Sequence, residues 1–300
     1  MIYSRITERL PIEKGWSGER KYRAVDSRGE RYLLRLSPPE RLERKRMEYE
    51  YMTRAAKLGV AMCVPLETGE CGEGVYSIHT WIDGADAEEA IPALPEAQQY
   101  RLGRDAGVML RLLHTIPAPA QTESWAQSFG RKIDRKIAMY AECPLSYEKG
   151  QVFLECIERS RHLIAHRPLS FQHGDYHIGN MMLGSDGRLY VIDFDRFDFG
   201  DPWEEFNRIA FSARRSQLFA TGIMDGYFPE GVPEEFWRLL ALYLSSNTLS
   251  SLPWAIPYGE EQIAFMQAQA EEILGWYDDM KSIVPSWYRS DARLSDDRTN

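Results

Sequence analysis

Apolar and polar residues alternate with two different periods along this chain. Near the N-terminus the period is close to two. Lys21 to Val25 and Arg31 to Leu36 read as strands, and Asp26-Ser27-Arg28-Gly29 between them supplies the residues of a hairpin turn. Pro38-Pro39 ends the second strand. From Glu40 to Leu58 the period changes: Met47, Tyr51, Met52, Ala55 and Leu58 recur at helical spacing and predict an amphipathic helix closed by Gly59. Val75 to Ile82 predicts a further strand, broken at Asp83-Gly84.

Helical spacing then takes over. Leu102, Ala106, Met109, Leu110 and Leu113 share a face of a helix predicted over Tyr100 to His114, and Pro117 and Pro119 follow it. Gln151 to His166 predicts another. Short apolar runs return at Asn180 to Leu183 and Leu189 to Phe194, with Ser185-Asp186-Gly187 as the tight turn between them. Trp203 to Asp279 reads as helices, and the tail from Ser290 is polar. The pattern predicts an α+β chain with a small β-rich part over 1–82 and a larger helical part over 83–300. A ligand cleft at the junction is expected, because clefts form preferentially where domains meet.

Composition adds constraints. The apolar fraction of 44% and charged fraction of 27% are those of an ordinary globular protein. A net charge of -9 disfavours nucleic acid, which needs cationic side chains to displace counterions, and gives no support for an anionic membrane surface. It is compatible with a cationic small-molecule substrate. Cys63, Cys71, Cys143 and Cys156 form no CxxC pair, so free thiols in a reducing cytoplasm are expected rather than a metal site or a disulfide framework. The N-terminus has no apolar core of a signal peptide, and no apolar run is long enough to span a bilayer.

The densest chemistry lies in His173-Gly174-Asp175-Tyr176-His177-Ile178-Gly179-Asn180, followed by Val191-Ile192-Asp193-Phe194-Asp195. Phosphoryl transfer needs a carboxylate at the nucleophile and oxygen ligands for magnesium near the phosphates. Asp175 can serve as the first, and Asn180, five residues on, can supply one of the second. Asp193 closes an apolar strand whose rigid end can present a carboxylate to metal. Order and spacing match the kinase loop H-x-D-x-x-x-x-N and its later metal-binding Asp.

With these residues the chain resembles the aminoglycoside phosphotransferase family of small-molecule kinases, from about Gly15 to Asp201. Gly174 stands where protein kinases usually carry Arg, and Asp195 where they carry the Gly of D-F-G. Both differences point to the small-molecule branch, as does the absence of a long activation segment and of an Ala-Pro-Glu sequence. The resemblance implies a two-lobed protein-kinase-like fold, with ATP (or GTP) and Mg2+ as cofactors. Asp175 would accept or orient the acceptor's hydroxyl proton, Asn180 and Asp193 would hold magnesium, and His173 would brace the loop. Ser17 and Gly18, in a Gly-Trp-Ser-Gly turn, would approach the phosphates. Arg35 occupies the place of the phosphate-binding lysine, with Glu48 as its carboxylate partner from the following helix and Glu50 as competitor. The Thr80 carbonyl and Ile82 amide would face the adenine, with His79 behind it.

The acceptor is less constrained. Asp201, Glu204, Glu205, Asp225, Glu260 and Glu261 could draw an amine-bearing sugar, and Trp254, Tyr258 and Trp276 could add cation–π contacts. An aminoglycoside leads on resemblance, with choline, homoserine, macrolides and other sugars as alternatives. A nucleotide-binding pseudokinase without turnover and a metallohydrolase built on His173, Asp175 and His177 are the readings from other classes.

Overall fold

The structure is a computed structural model that describes residues 1–13 and 18–292. Contacts divide the chain into two compact units, Met1–Ala90 with Asn180–Phe197 and Ile91–Gly179 with Asp198–Asn300. The elements make an α+β fold.

The first unit carries strands β1 (Ile6–Ile12), β2 (Arg20–Asp26), β3 (Arg31–Ser37), β4 (Pro65–Cys71) and β5 (Gly74–Thr80) in one antiparallel sheet, ordered β1-β2-β3-β5-β4. The β2–β3 turn forms as expected, with Gly29 at φ 83° and its N–H donating to the Asp26 carbonyl. Ala24, Leu34, Leu36, Tyr76 and Ile78 make the sheet's core. Because side chains alternate across a strand, burying Leu34 and Leu36 on one face sends Arg35 to the other.

Helix α1 (Leu42–Lys57) lies between β3 and β4. Its buried stripe departs from the expected one. Tyr51, Met52 and Ala55 are buried, but Met47 and Leu58 are each 40% exposed, and Lys45 and Glu48 take inward positions instead. Periodicity of apolar residues is blind to a charged pair that is satisfied inside the unit. After β5 come β6 (Gly84–Asp86) and the short helix α2 (Ala87–Ala90). Strand β6 joins β8 (Met181–Gly184) and β9 (Leu189–Val191) in a second small sheet, ordered β6-β8-β9. A Cβ on Gly84 would sit 2.2 Å from the Leu183 carbonyl, which is why this register takes glycine.

The second unit holds helices α3 (Glu96–Leu113), α4 (Trp125–Ala141), α5 (Gly150–Ser160), α6 (Ile209–Arg215), α7 (Gln217–Tyr227), α8 (Glu234–Ala255) and α9 (Glu260–Trp276). Two short strands, β7 (Ser170–Gln172) and β10 (Asp198–Gly200), pair antiparallel and flank the segment over 173–197 in sequence. The expected long helix over 151–166 ends at Ser160 and tightens into a 3-10 turn over Arg161–Ile164. Helices α3 and α7 meet through glycine: a Cβ on Gly103 would lie 2.1 Å from the Phe219 carbonyl, and one on Gly222 would lie 2.2 Å from the Tyr100 carbonyl. Among the described residues no helix is long and apolar enough to cross a membrane.

Candidate active site

In the first unit Arg35 is the centre of a buried charge network. Its side chain is 4% exposed. Nε donates to Glu19 at 2.6 Å, and a terminal nitrogen donates to Asp193 Oδ1 at 2.8 Å. Lys21 Nζ stands 3.8 Å from the other Asp193 oxygen. Asp193 follows β9 by two residues in the left-handed conformation, φ 66° and ψ 64°. Aspartate tolerates that region better than most residues, at a cost of about 1 kcal/mol. The Ile192 N–H, from the residue before Asp193, donates to the Asn180 carbonyl at 3.0 Å.

A second cation lies beside the first. Lys45 Nζ, fully buried on α1, contacts Glu19 at 2.6 Å, Glu48 at 2.6 Å and Asp195 at 3.1 Å. Asp195 also takes Arg41. The direct partner of Arg35 is therefore Glu19, from the entry to β2, while Glu48 makes no ion pair with it. Lys45, three residues before Glu48 on the same helix, occupies that carboxylate instead. Burial works against charge on Glu19, but Arg35 and Lys45 prevail and hold its carboxyl down to about 2. For Arg35 burial is likewise overcome, by Asp193 and Glu19, and its pKa lies above the ordinary guanidinium value. His79, buried behind the two cations, is pulled down to about 3 by desolvation and then by Arg35 and Lys45, so its ring is neutral. Desolvation pushes the Cys63 thiol up to about 12 and leaves it unreactive at neutral pH.

The remaining expected nucleotide positions are placed as follows. The Thr80 N–H donates to the Val64 carbonyl and its hydroxyl accepts from the Val64 N–H, each at 2.9 Å. Ile82 lies just past β5, and among the described residues its N–H makes no hydrogen bond. Gly18 is exposed, with nothing within 4 Å of where a Cβ would stand. Ser17 lies outside the described residues.

In the second unit the loop over 173–180 is shaped by Glu205. This carboxylate, 2% exposed, accepts the Gly174 N–H at 3.0 Å and the Tyr176 N–H at 3.4 Å. Gly174 has φ 84°, a conformation that favours glycine. His173 is fully buried, and its Nδ1 accepts the Asp175 N–H at 3.3 Å, so it braces the loop. The Tyr176 hydroxyl donates to the Ala106 carbonyl at 2.7 Å. Asp175 itself stands 3.2 Å from Arg208 Nε and 3.7 Å from His177 Nε2. His177 Nδ1 accepts the Gly179 N–H at 3.1 Å. Among the described residues no cluster of three His, Cys, Asp or Glu could hold a metal, which removes the support for a metallohydrolase built on 173, 175 and 177.

The acidic residues expected to meet a cation are mostly engaged. Asp201, with no exposure, binds Arg167 at 2.8 Å and the Tyr243 hydroxyl at 2.5 Å. Glu204 takes Lys132 and Gln172, each at 3.2 Å, and Asp225 takes the hydroxyls of Tyr100 and Tyr288, each at 2.7 Å. Glu260 and Glu261 are exposed in the first turn of α9. The rings of Trp254 and Tyr258 meet at 4.7 Å, tilted by 38°. Sequence reasoning passed over Glu19, Lys45 and Arg208. The first two carried a faint signal, as charges flanking Gly18 and preceding Glu48 by one helical turn.

A strand-borne arginine against a strand-end aspartate, and a glycine-turned loop presenting a second aspartate, are the parts of a phosphoryl-transfer enzyme. A profile of the phosphotransferase enzyme family matches residues 8–239, and the chain belongs to that family. It is a phosphotransferase of the aminoglycoside phosphotransferase-like kinase type. No curated protein sequence matches it. Among solved structures it is similar to the GDP complex of aminoglycoside 2'-phosphotransferase-IIIa, at 15% identity over 89% of this chain and 92% of that one, with a TM-score of 0.65. It is also similar to a thermostable mutant of aminoglycoside phosphotransferase APH(4)-Ia with ADP and hygromycin B, at 17% identity, coverage of 90% and 95%, and a TM-score of 0.64. A third is the amicoumacin kinase hAmiN with AMP-PNP, Ca2+ and Ami, at 13% identity, coverage of 94% and 90%, and a TM-score of 0.63. These identities carry the fold and leave the acceptor open.

Proposed function

We propose that this chain is an ATP- and magnesium-dependent kinase that phosphorylates a hydroxyl of a small molecule, with GTP as the alternative donor. The observation that carries the reading is the Arg35–Asp193 pair at 2.8 Å, a buried cation and a metal-competent carboxylate joined across 158 positions of sequence. The residues suit the group they would hold: magnesium takes carboxylate and amide oxygens, which Asp193 and Asn180 supply. Magnesium, when bound, neutralises charge on the phosphates.

Arg35 would exchange its carboxylate partner for a phosphate oxygen, with Lys21 alongside and Glu19 fixing the guanidinium plane. Glu48 would act through Lys45, by keeping that amine seated. Gly18 and Ser17 would lie against the phosphates, and the Thr80 carbonyl and Ile82 amide would receive the base. The lobe over 1–82 would thus serve the nucleotide, and 83–300 the catalytic loop and acceptor. Asp175 would orient the acceptor hydroxyl and take its proton, with Arg208 and His177 beside its carboxylate. Positioning and electrostatics supply most of the acceleration in such reactions.

The nucleotides and antibiotics in the similar structures support a nucleotide donor and a small acceptor, and among cationic candidates our reading puts aminoglycosides first. A cytoplasmic setting fits an ATP requirement and four free thiols. The test is ADP release against a panel of hydroxylated acceptors. Asp175→Asn should lower acceptor-dependent kcat by about 10²–10⁴ while nucleotide affinity holds. Nucleotide binding without turnover of any acceptor would make the chain a sensor and end the kinase reading.

A further inference from the structure

His114 caps the C-terminal end of α3, and its side chain is 4% exposed. Its ring meets the Tyr227 ring at 5.4 Å and 73°, and Nδ1 stands 2.8 Å from the Tyr227 hydroxyl. The other nitrogen, Nε2, is buried and makes no hydrogen bond among the described residues. It faces Glu205 Oε2 at 4.0 Å. Glu205, whose side chain is 1% exposed, has no lysine or arginine within ion-pair distance among the described residues. Its donors are the Gly174 N–H, at 3.0 Å to Oε1 and 3.2 Å to Oε2, and the Tyr176 N–H at 3.4 Å. Gly174 and Tyr176 are the residues before and after Asp175.

These surroundings decide where the ring carries its proton. Burial, then the charges of Asp201 and Glu205, push the Tyr227 hydroxyl up, so it keeps its hydrogen and donates to Nδ1. A lone pair on Nε2 would oppose the Glu205 carboxylate, whereas an N–H there meets it. A buried carboxylate is costly to hold without such a donor. We infer that His114 is a positioning residue for the reaction: with its proton on Nε2 it holds Glu205, and Glu205 holds the backbone on both sides of Asp175. Helix α3 thereby grips this loop at two points, since the Tyr176 hydroxyl also donates to the Ala106 carbonyl. The inference rests on the kinase reading for the role of Asp175, though not for the link between His114 and Glu205.

Two variants of the full chain separate the two ends of the ring. His114→Gln can still present a donor to Glu205, while His114→Asn keeps a partner for Tyr227 alone. In the ADP-release assay His114→Asn should lower kcat about tenfold to hundredfold with nucleotide KM unchanged, and His114→Gln should recover most of that loss. A kcat indifferent to His114→Asn, or a loss in both variants that simply follows their Tm, overturns the inference. Two readouts need no turnover. Nitrogen NMR of the parent imidazole should find the proton on Nε2, and an unprotonated Nε2 overturns the inference. Hydrogen exchange at the Gly174 and Tyr176 amides should be about tenfold faster in His114→Asn than in the parent, and unchanged exchange overturns it as well. A chain that passes both readouts yet phosphorylates no acceptor keeps the link to Glu205 and loses the kinase reading. A chain that turns over an acceptor and fails either readout does the reverse.

Discussion

Glu19 offers a direct test of the network around Arg35. Its carboxylate is 6% exposed, contacts Lys45 and Arg35 at 2.6 Å each, and accepts the Ser37 hydroxyl at 2.5 Å. Its pKa falls from the ordinary 4.5 to about 2. A folded-state value below the unfolded one means stability that is present above pH 4.5 and lost as pH falls toward 2. By linkage the ionised form contributes about 3 kcal/mol at pH 7, about 2 at pH 3.5 and about 1 at pH 3. Glu19→Gln keeps the shape and removes the charge. The variant should therefore be less stable than the parent by about that amount at pH 7, with the gap closing as pH drops. Hydrogen exchange of the β2 and β3 amides reports this unit without requiring the whole chain to unfold in one step. A gap that is equally large at pH 7 and pH 3, or no gap at pH 7, would show that Glu19 is not held charged by Arg35 and Lys45.

Three further outcomes are expected. Lys45→Met strands Glu48 in the interior without its amine and should cost about 3–5 kcal/mol, seen as a large fall in Tm, whereas the exposed Arg46→Met should change little. Gly222→Ala forces α7 away from the Tyr100 carbonyl and should cost about 1–3 kcal/mol; an unaltered Tm would mean the helices have room to spare. Asp193→Ala should weaken magnesium-dependent nucleotide binding by calorimetry far more than metal-free binding, and equal losses would remove Asp193 from the metal.

Much of this fold is legible in the chain because its strands and helices obey local rules. The β2–β3 hairpin announces itself through Asp26 to Gly29, and the catalytic loop through the spacing of His173, Asp175 and Asn180. What escapes is where charges go when they are buried. Lys45 and Glu48 look like a solvated helix face, because a hydrophobic period cannot register an ion pair that satisfies itself indoors. The same blindness made Asp201, Glu204, Glu205 and Asp225 look available to a substrate. Their partners, Arg167, Lys132, the Gly174 amide and Tyr100, lie from 31 to 125 positions away. Strand β1 is missed because Glu8, Arg9 and Pro11 dilute its alternation, and α4 because its polar face is so dense in charge.

The loop that carries Asp175 is held by a carboxylate of its own fold. Glu205, buried, accepts the N–H groups of Gly174 and Tyr176, the residues on either side of Asp175. The fold's own hydrogen bonds thus set the loop's backbone without help from a ligand. Ordering is done once, when the chain folds, so each encounter meets a finished template, and mutations at position 205 should erode rate and fold together.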